Sequence, residues 1–318
     1  MSQTQPSPDF ALPADAILPF AVHALDVRGR AVRLAGSLDD ILRAHAYPEP
    51  VSRLVGEALV LCALLGGALK GDGRFQLQTS TDGPVAMIVV DFETPDRLRA
   101  FARYDADRLA ADDAAAPLGK GHMALTIEQP GLDSRYQGVV ALDGQGFEQA
   151  ALQYFQQSEQ IPTLVRLAVA QDIRQDGTHW TGGGLLIQFL PSSPERLRQL
   201  DLAPGDAPPG VIVDEKAEDD SWTEARLLAA TVQDHELVDP TLASEALLYR
   251  LFHQRGVNVF EPEPVRSQCR CSSERVESML RSFTKQDRRD MVAPSGKIVV
   301  TCEFCSTARE FAPSDFDP

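Results

Sequence analysis

The stretch Cys269-Arg270-Cys271, separated by thirty residues from Cys302-Glu303-Phe304-Cys305, decides how the last part of this chain folds. Four thiolates in two close pairs are the donor set of a closed, tetrahedral zinc site with no open position. The sequence therefore predicts one Zn²⁺ ion bound by Cys269, Cys271, Cys302 and Cys305.

The segment between the two cysteine pairs has the pattern of a small folded unit. Ser272 suits the cap of a helix whose apolar side chains recur at helical spacing, and Lys297–Thr301 reads as a strand that leads to Cys302. One helix and one strand bury little surface, so we expect the metal to hold this module, with an apparent binding energy of about 10–16 kcal/mol.

The charge around the cysteines favours thiolates. Between Val265 and Glu310 the chain has nine Arg and Lys against six Asp and Glu. We expect Arg266, Arg270 and Arg275 to stabilise the ionised sulfurs. A thioredoxin-type oxidoreductase does not fit, because its C-x-x-C opens a helix within a βαβ unit and only 13 residues follow Cys305.

Residues 1–192 are predicted to form an α+β core domain. A hairpin turning near Arg28-Gly29 is followed by a long apolar helix over Val51–Lys70, in which Cys62 has the role of a buried structural thiol. Strands and a helix over Gln149–Ser158 follow, and the glycines at 182, 183 and 184 are interpreted as a turn or bulge.

A change in composition marks the end of this domain. Pro191–Asp220 contains five prolines and a run of acidic residues, which is typical of a linker. Helices are predicted from Ser221 and from Asp239-Pro240. We therefore divide the rest of the chain into a helical, partly labile linker over 193–262 and the zinc-binding module over 263–318.

The bulk composition excludes several classes of protein. A net charge of −16 argues against nucleic acid as a partner. The longest apolar run, Ala58–Leu69, is too short to span a membrane, and the polar first residues do not resemble a signal peptide, so we expect a cytoplasmic protein. The six histidines have no ligand spacing, and no P-loop or Gly-x-Ser-x-Gly motif occurs, so no enzyme is predicted.

At its four C-terminal cysteines and their neighbours, the chain resembles a known family, the redox-regulated heat-shock holdases of bacteria, also called the thirty-three-kilodalton heat-shock protein. The resemblance is most specific in the zinc motif, from Cys269 to Arg275 and from Thr301 to Cys305, and it extends through nearly the whole chain. The other matching segments are Val27–Gly29, His45–Pro48, Leu54–Glu57, Tyr136–Val140, Tyr154–Gln160 and Leu248–His253.

The resemblance implies a function and a mechanism. Reduced, zinc-bound protein is folded and inactive. Oxidants such as hypochlorite, or peroxide with heat, convert the four thiolates to the disulfides Cys269–Cys271 and Cys302–Cys305. Zinc is then released, the linker unfolds, and the exposed surface holds unfolding client proteins without ATP. Activated members of the family tend to form homodimers.

Two features depart from the family pattern. Arg309 stands where an aromatic residue usually follows the last cysteine, and the Pro191–Asp220 segment is unusually acidic and rich in proline. Neither change affects a metal ligand. A second hypothesis is that zinc is purely structural, in a constitutively folded protein that binds a fixed protein partner.

The two cysteine pairs are predicted to oxidise in a fixed order. A C-x-x-C pair closes a disulfide easily, whereas a C-x-C pair must bend to bring its Cα atoms within about 7 Å. We expect Cys302–Cys305 to form first. Mass mapping of disulfides during a time course of oxidation checks this, and early appearance of Cys269–Cys271 would contradict it.

Overall fold

Two six-stranded sheets contain most of the strands in the computed structural model, which describes residues 15–111, 117–131, 135–175, 177–190 and 219–316. The first sheet has the order β10-β1-β2-β9-β8, with β11 also pairing with β1, and its strands are Ala16–Val22 (β1), Val27–Leu34 (β2), Thr163–Arg174 (β8), Gly177–Phe189 (β9), Asn258–Val259 (β10) and Glu263–Pro264 (β11).

The second sheet has the order β12-β5-β4-β3-β6-β7. Its strands are Arg74–Thr81 (β3), Val85–Glu93 (β4), Arg97–Tyr104 (β5), Lys120–Glu128 (β6), Tyr136–Asp143 (β7) and Arg266–Ser267 (β12). All its pairings are antiparallel except the short one between β12 and β5, which is parallel. A two-stranded hairpin near the end of the chain joins Ile298–Thr301 (β13) to Ala308–Phe311 (β14).

The α-helices are Gly36–His45 (α1), Glu49–Gly66 (α2), Ala106–Ala111 (α3), Phe147–Tyr154 (α4), Asp220–Ala230 (α5), Asp234–Val238 (α6), Ser244–Phe252 (α7), Ser273–Ser282 (α8) and Lys285–Asp290 (α9). A single π-helical turn, Phe155–Glu159, extends α4. These helices and sheets confirm the predicted mixed α and β class.

Helix α2 is the centre of the large core because it contacts strands of both sheets. It is apolar on nearly all sides, as expected for a helix buried on every face. Cys62 lies in it with no exposed surface, and burial raises the pKa of its thiol well above the usual value. The prediction of a buried structural thiol at this position is confirmed.

Helices α5, α6 and α7 cover the other face of the first sheet. Their apolar side chains, including Trp222, Leu248 and Phe252, form one buried cluster with residues of the sheet such as Phe20 and Ile187. Arg166 of β8 adds a polar contact, since it donates to the Val232 carbonyl at 2.9 Å and pairs with Asp234 at 2.7 Å. Residues 219–262 are therefore packed against the sheet, whereas the proline-rich part of the predicted linker, 191–218, lies outside the described residues.

Three local predictions were wrong for identifiable reasons. The first hairpin turns at His23–Asp26, and Gly29 lies inside β2, where any side chain would overlap the ring of Phe20. The three consecutive glycines lie within β9, where a Cβ at Gly183 would overlap the Leu237 carbonyl, so they permit close packing instead of making a turn. Asp239-Pro240 precedes a turn, and α7 begins later, at Ser244.

Candidate metal centre

The four cysteines of the last module lie together. Their sulfur atoms are all within 4.8 Å of one another. Cys269 Sγ is 3.7 Å from Cys302 Sγ, and Cys271 Sγ is 3.3 Å from Cys305 Sγ. Both of these contacts join one sequence pair to the other, as expected when the two pairs surround one point.

Short elements on either side hold each cysteine in place. Cys269 and Cys271 lie between β12 and α8, and Ser272 caps α8 by accepting from the Arg275 amide at 3.2 Å. Cys302 follows β13 directly. Its carbonyl accepts from the Ser306 amide at 2.9 Å, and Ser306 has a positive φ of 53°, which closes the turn that contains Cys305.

The arrangement fits a tetrahedral metal ion. Zn–S bonds of about 2.3 Å would place the sulfurs of such a site about 3.8 Å apart, close to the separations present here. Four thiolates are soft donors that suit ions such as Zn²⁺, and they leave no position for a substrate. The predicted ligand set is thus brought together in a form that can bind one ion.

The sulfurs differ in their tendency to ionise without a metal. Burial opposes ionisation of Cys305, but hydrogen bonds from the Thr307 side chain and backbone, and from the neighbouring thiols, lower its pKa to about 6. Burial, together with hydrogen bonds that the Cys271 thiol donates to the other cysteine sulfurs, instead raises the pKa of Cys271 to about 12. A bound cation would stabilise thiolates at this cluster.

The arginines that the sequence pointed to are directed elsewhere. Arg266 pairs with Asp96 at 2.6 Å, Arg270 pairs with Glu93 at 3.3 Å, and Arg275 donates to a backbone carbonyl. The guanidinium that contacts a sulfur is that of Arg309, whose Nη1 lies 3.3 Å from Cys271 Sγ. Chain order alone could not reveal this contact, which requires the β13–β14 hairpin.

The module has very little apolar core of its own. Among the described residues, Leu280, Ile298 and Phe316 form its buried cluster, with four half-buried apolar neighbours. Three buried side chains contribute only about 5–9 kcal/mol of apolar burial, which is far less than the cost of ordering about fifty residues. Coordination of a metal by the four cysteines would supply stabilisation that this apolar cluster does not.

The turn between Cys302 and Cys305 also docks onto the second sheet. The Phe304 ring lies edge-on to Phe101, with centroids 4.8 Å apart, and the Arg99 guanidinium lies 3.9 Å from its centroid. His45 is close to both the Phe304 carbonyl, at 3.2 Å, and the Ser306 hydroxyl, at 2.9 Å. The candidate metal site is thus in direct contact with the large domain.

Sequence reasoning missed this docking surface. Strand β5, which supplies Arg99 and Phe101, was not predicted, although its residues alternate between arginine and apolar side chains, a signal of a half-buried strand. Parallel pairing of β12 with β5 brings Arg266 beside Arg97, and it begins the approach of the module to this strand.

Comparison with known proteins identifies the family. The family model described as Hsp33 protein matches residues 15–312. The 33 kDa chaperonin of Caulobacter vibrioides is 40% identical over 98% of this chain and 99% of its own length, and that of Proteus mirabilis is 35% identical over 95% of each. The chain belongs to the Hsp33 family. A crystal structure of the Hsp33 homologue of Thermotoga maritima shares the fold, with a TM-score of 0.74 over 96% of this chain and 97% of that chain at 19% identity.

Hsp33 proteins are heat-shock chaperones, and this membership places the chain among proteins that bind client proteins rather than among enzymes. Among the described residues, no helix is both long and apolar enough to cross a bilayer. The resemblance found from the cysteine motif is confirmed over the whole matched region.

The metal centre is tested by titrating reduced, metal-stripped protein with Co²⁺, whose tetrahedral thiolate complexes absorb in the visible and near-ultraviolet. We expect one ion per chain with the spectrum of four sulfur ligands, and loss of that spectrum in Cys302→Ser. Cys62→Ala is the matched control, because Cys62 is buried outside the module, and it should leave the stoichiometry unchanged. A Co²⁺ spectrum that persists in Cys302→Ser would rule out the four-cysteine site.

Proposed function

We propose that this protein is a redox-regulated, ATP-independent holdase whose activity is controlled by Zn²⁺ bound to Cys269, Cys271, Cys302 and Cys305. The observation that carries the proposal is the set of four sulfurs within 4.8 Å of one another, in a module that is docked on the large domain of an Hsp33 chaperone. A thiolate site is sensitive to oxidants, because disulfide formation removes its ligands.

Activation in this proposal converts the four thiolates to two disulfides. Each disulfide, Cys269–Cys271 and Cys302–Cys305, forms when two thiolates give up two electrons. A peroxide takes up these electrons with two protons and becomes two molecules of water. The two sulfurs of each proposed disulfide lie within 4.8 Å of each other, so each bond of about 2.05 Å forms between atoms that are already neighbours.

Loss of the metal would remove the order of the module, because its own apolar cluster is so small. The contacts of Phe304 with Phe101 and Arg99 would be lost with it. The chain between α7 and the cysteines pairs with the edges of both sheets through β10, β11 and β12. Release of the module would therefore also weaken these strand pairings, which connect it to α7.

Helices α5–α7 are the proposed labile element. They cover the apolar face of the first sheet, and their departure would expose residues such as Phe20, Ile187 and Phe189 together with the apolar faces of the helices themselves. A large exposed apolar surface is what binds unfolding proteins. In this proposal the core and client-binding domain spans 1–192, the linker 193–262, and the switch module 263–318.

We place the switch in the cytoplasm, with unfolding proteins as its partners. Reduced thiols at rest fit a cytoplasmic protein, and the net charge of −16 fits a chaperone that keeps clients dispersed and does not bind nucleic acid. Homodimerisation accompanies activation, and no membrane partner is involved. The alternative is a constitutively folded protein with structural zinc that binds a fixed partner.

Aggregation of a thermally unfolding client distinguishes the two. We expect reduced, zinc-loaded protein to leave aggregation unchanged and peroxide-treated protein to suppress it, with suppression rising in step with zinc release. Zinc retention through peroxide and heat, or suppression by the reduced form at full zinc occupancy, would favour the structural alternative.

The docking of Phe304 gives a prediction that does not require oxidation. Replacing Phe304 by alanine removes an aromatic pair worth about 0.5–1.5 kcal/mol and the ring that Arg99 covers, so the module should leave the sheet more often. We expect Phe304→Ala to activate faster in peroxide and to show some activity when reduced, with one zinc still bound.

Phe283→Ala is the matched control for this variant. Phe283 is an exposed aromatic residue of the same module at the end of α8. Its removal should change neither the rate of activation in peroxide nor the activity of the reduced protein. If Phe304→Ala and the control activate at the same rate, docking of the turn does not restrain the chaperone.

A further inference from the structure

Arg309 is the residue of the switch module whose role the family pattern does not supply. It lies on β14 directly opposite Val300 of β13. Phe311, two positions on, is on the same face of the strand and packs with the small apolar cluster of the module. The inward face of β14 thus offers one side chain to the apolar cluster and one to the sulfurs.

The contact that Arg309 makes is two-pronged. Its Nη1 donates to Cys271 Sγ at 3.3 Å, and its Nη2 donates to the Cys271 carbonyl at 3.4 Å. The guanidinium thereby joins the hairpin of the second cysteine pair to the backbone of the first. Such a fork fixes both the position of Cys271 and the direction of its sulfur.

The charge of Arg309 is placed where the bound state needs it. Four thiolates around a divalent ion carry a net charge of −2, so a permanently charged guanidinium beside one of them stabilises the loaded site. Arg266 and Arg270 are engaged with Asp96 and Glu93 instead. The thiol of Cys305, by contrast, contacts the neutral hydroxyl of Thr307 at 3.3 Å.

We propose that Arg309 is a positioning residue of the metal centre, which strengthens metal binding through Cys271 and makes the Cys269–Cys271 pair the slower of the two to oxidise. This inference rests on the proposed redox function for its second part only. A cationic hydrogen bond lowers the nucleophilicity of the thiolate that accepts it, so an oxidant reacts first at the pair without such a donor.

Zinc affinity of the reduced protein, measured by competition with a chromogenic chelator, tests the first part. We expect Arg309→Gln to bind Zn²⁺ about tenfold more weakly, the usual cost of removing a partner of a metal ligand. Lys297→Gln is the matched control. Lys297 pairs with Glu310 in the same hairpin, and its substitution removes one positive charge that is not in contact with the sulfurs.

An affinity of Arg309→Gln within about twofold of the unsubstituted protein would overturn the proposal, and so would an equal loss in Lys297→Gln. Arg309→Lys guards against a folding defect, because it keeps the charge and loses the fork. We expect its affinity for Zn²⁺ to lie between those of the unsubstituted protein and Arg309→Gln. If Arg309→Lys has a normal circular dichroism spectrum but loses as much affinity as Arg309→Gln, the effect comes from the two hydrogen bonds to Cys271 alone, which contradicts the role of charge.

Oxidation by a stoichiometric amount of hydrogen peroxide tests the second part. Formation of each disulfide from two thiolates releases two electrons, which together with two protons reduce one molecule of hydrogen peroxide to two molecules of water. We expect Cys302–Cys305 to lead Cys269–Cys271 in the unsubstituted protein and the lead to shrink in Arg309→Gln. If the lead of Cys302–Cys305 over Cys269–Cys271 in Arg309→Gln equals that in the unsubstituted protein, this part is overturned. Because the affinity measurement uses reduced protein without client, its result stands whether or not oxidation activates the chaperone.

Discussion

The mutual approach of four thiolates is the constraint on which the last fifty residues depend. Ionised sulfurs within 4.8 Å of one another repel, so they do not all lose their protons equally easily. The pKa of Cys271 is raised, whereas the pKa of Cys305 is lowered. A divalent ion resolves this conflict, and the cluster of Leu280, Ile298 and Phe316 is too small to replace it. In the proposed switch, the order of the module therefore depends on the chemical state of its sulfur atoms.

The way this module is attached connects a local event to a distant surface. Phe304 lies between two cysteines and also against Phe101 and Arg99 of the second sheet. The chain that leads to the cysteines pairs first with β1 and then with β5, and it leaves from α7, one of the helices that cover the first sheet. No long-range signal has to be postulated, since each element is joined to the next by contacts of a few ångströms.

The sequence was most informative where chemistry or periodicity is strict. The grouping of the four cysteines followed from their residue type and spacing. Helix α2 followed from its apolar pattern, because a helix buried between two sheets has almost no polar face. The π-helical turn after α4 lies within the predicted helix. The cap at Ser272 followed from the ability of a serine hydroxyl to accept from the first turn.

Prediction was weakest where the local structure depends on contacts with residues that are distant in the sequence. The glycines of β9 were interpreted as a turn because nothing in the local sequence reveals that Leu237 and Val60 pack against that strand. The arginines near the cysteines were expected to face the sulfurs, but Glu93 and Asp96 lie within reach of Arg270 and Arg266. Arg309 entered the sequence analysis as a departure from a pattern, and only the register of β14 with β13 shows which atom it contacts.

The burial of Cys62 has a consequence for the way the proposed redox switch would be reset. Its thiol is completely enclosed in α2, with the carbonyls of Phe75 and Val90 as its neighbours, and an oxidant in solution has no access to it while the core is intact. Two disulfides among the four remaining cysteines can be arranged in only three ways. A reductase that returns the chain to its resting state thus meets few mispaired forms, and the odd sulfur is kept out of thiol exchange.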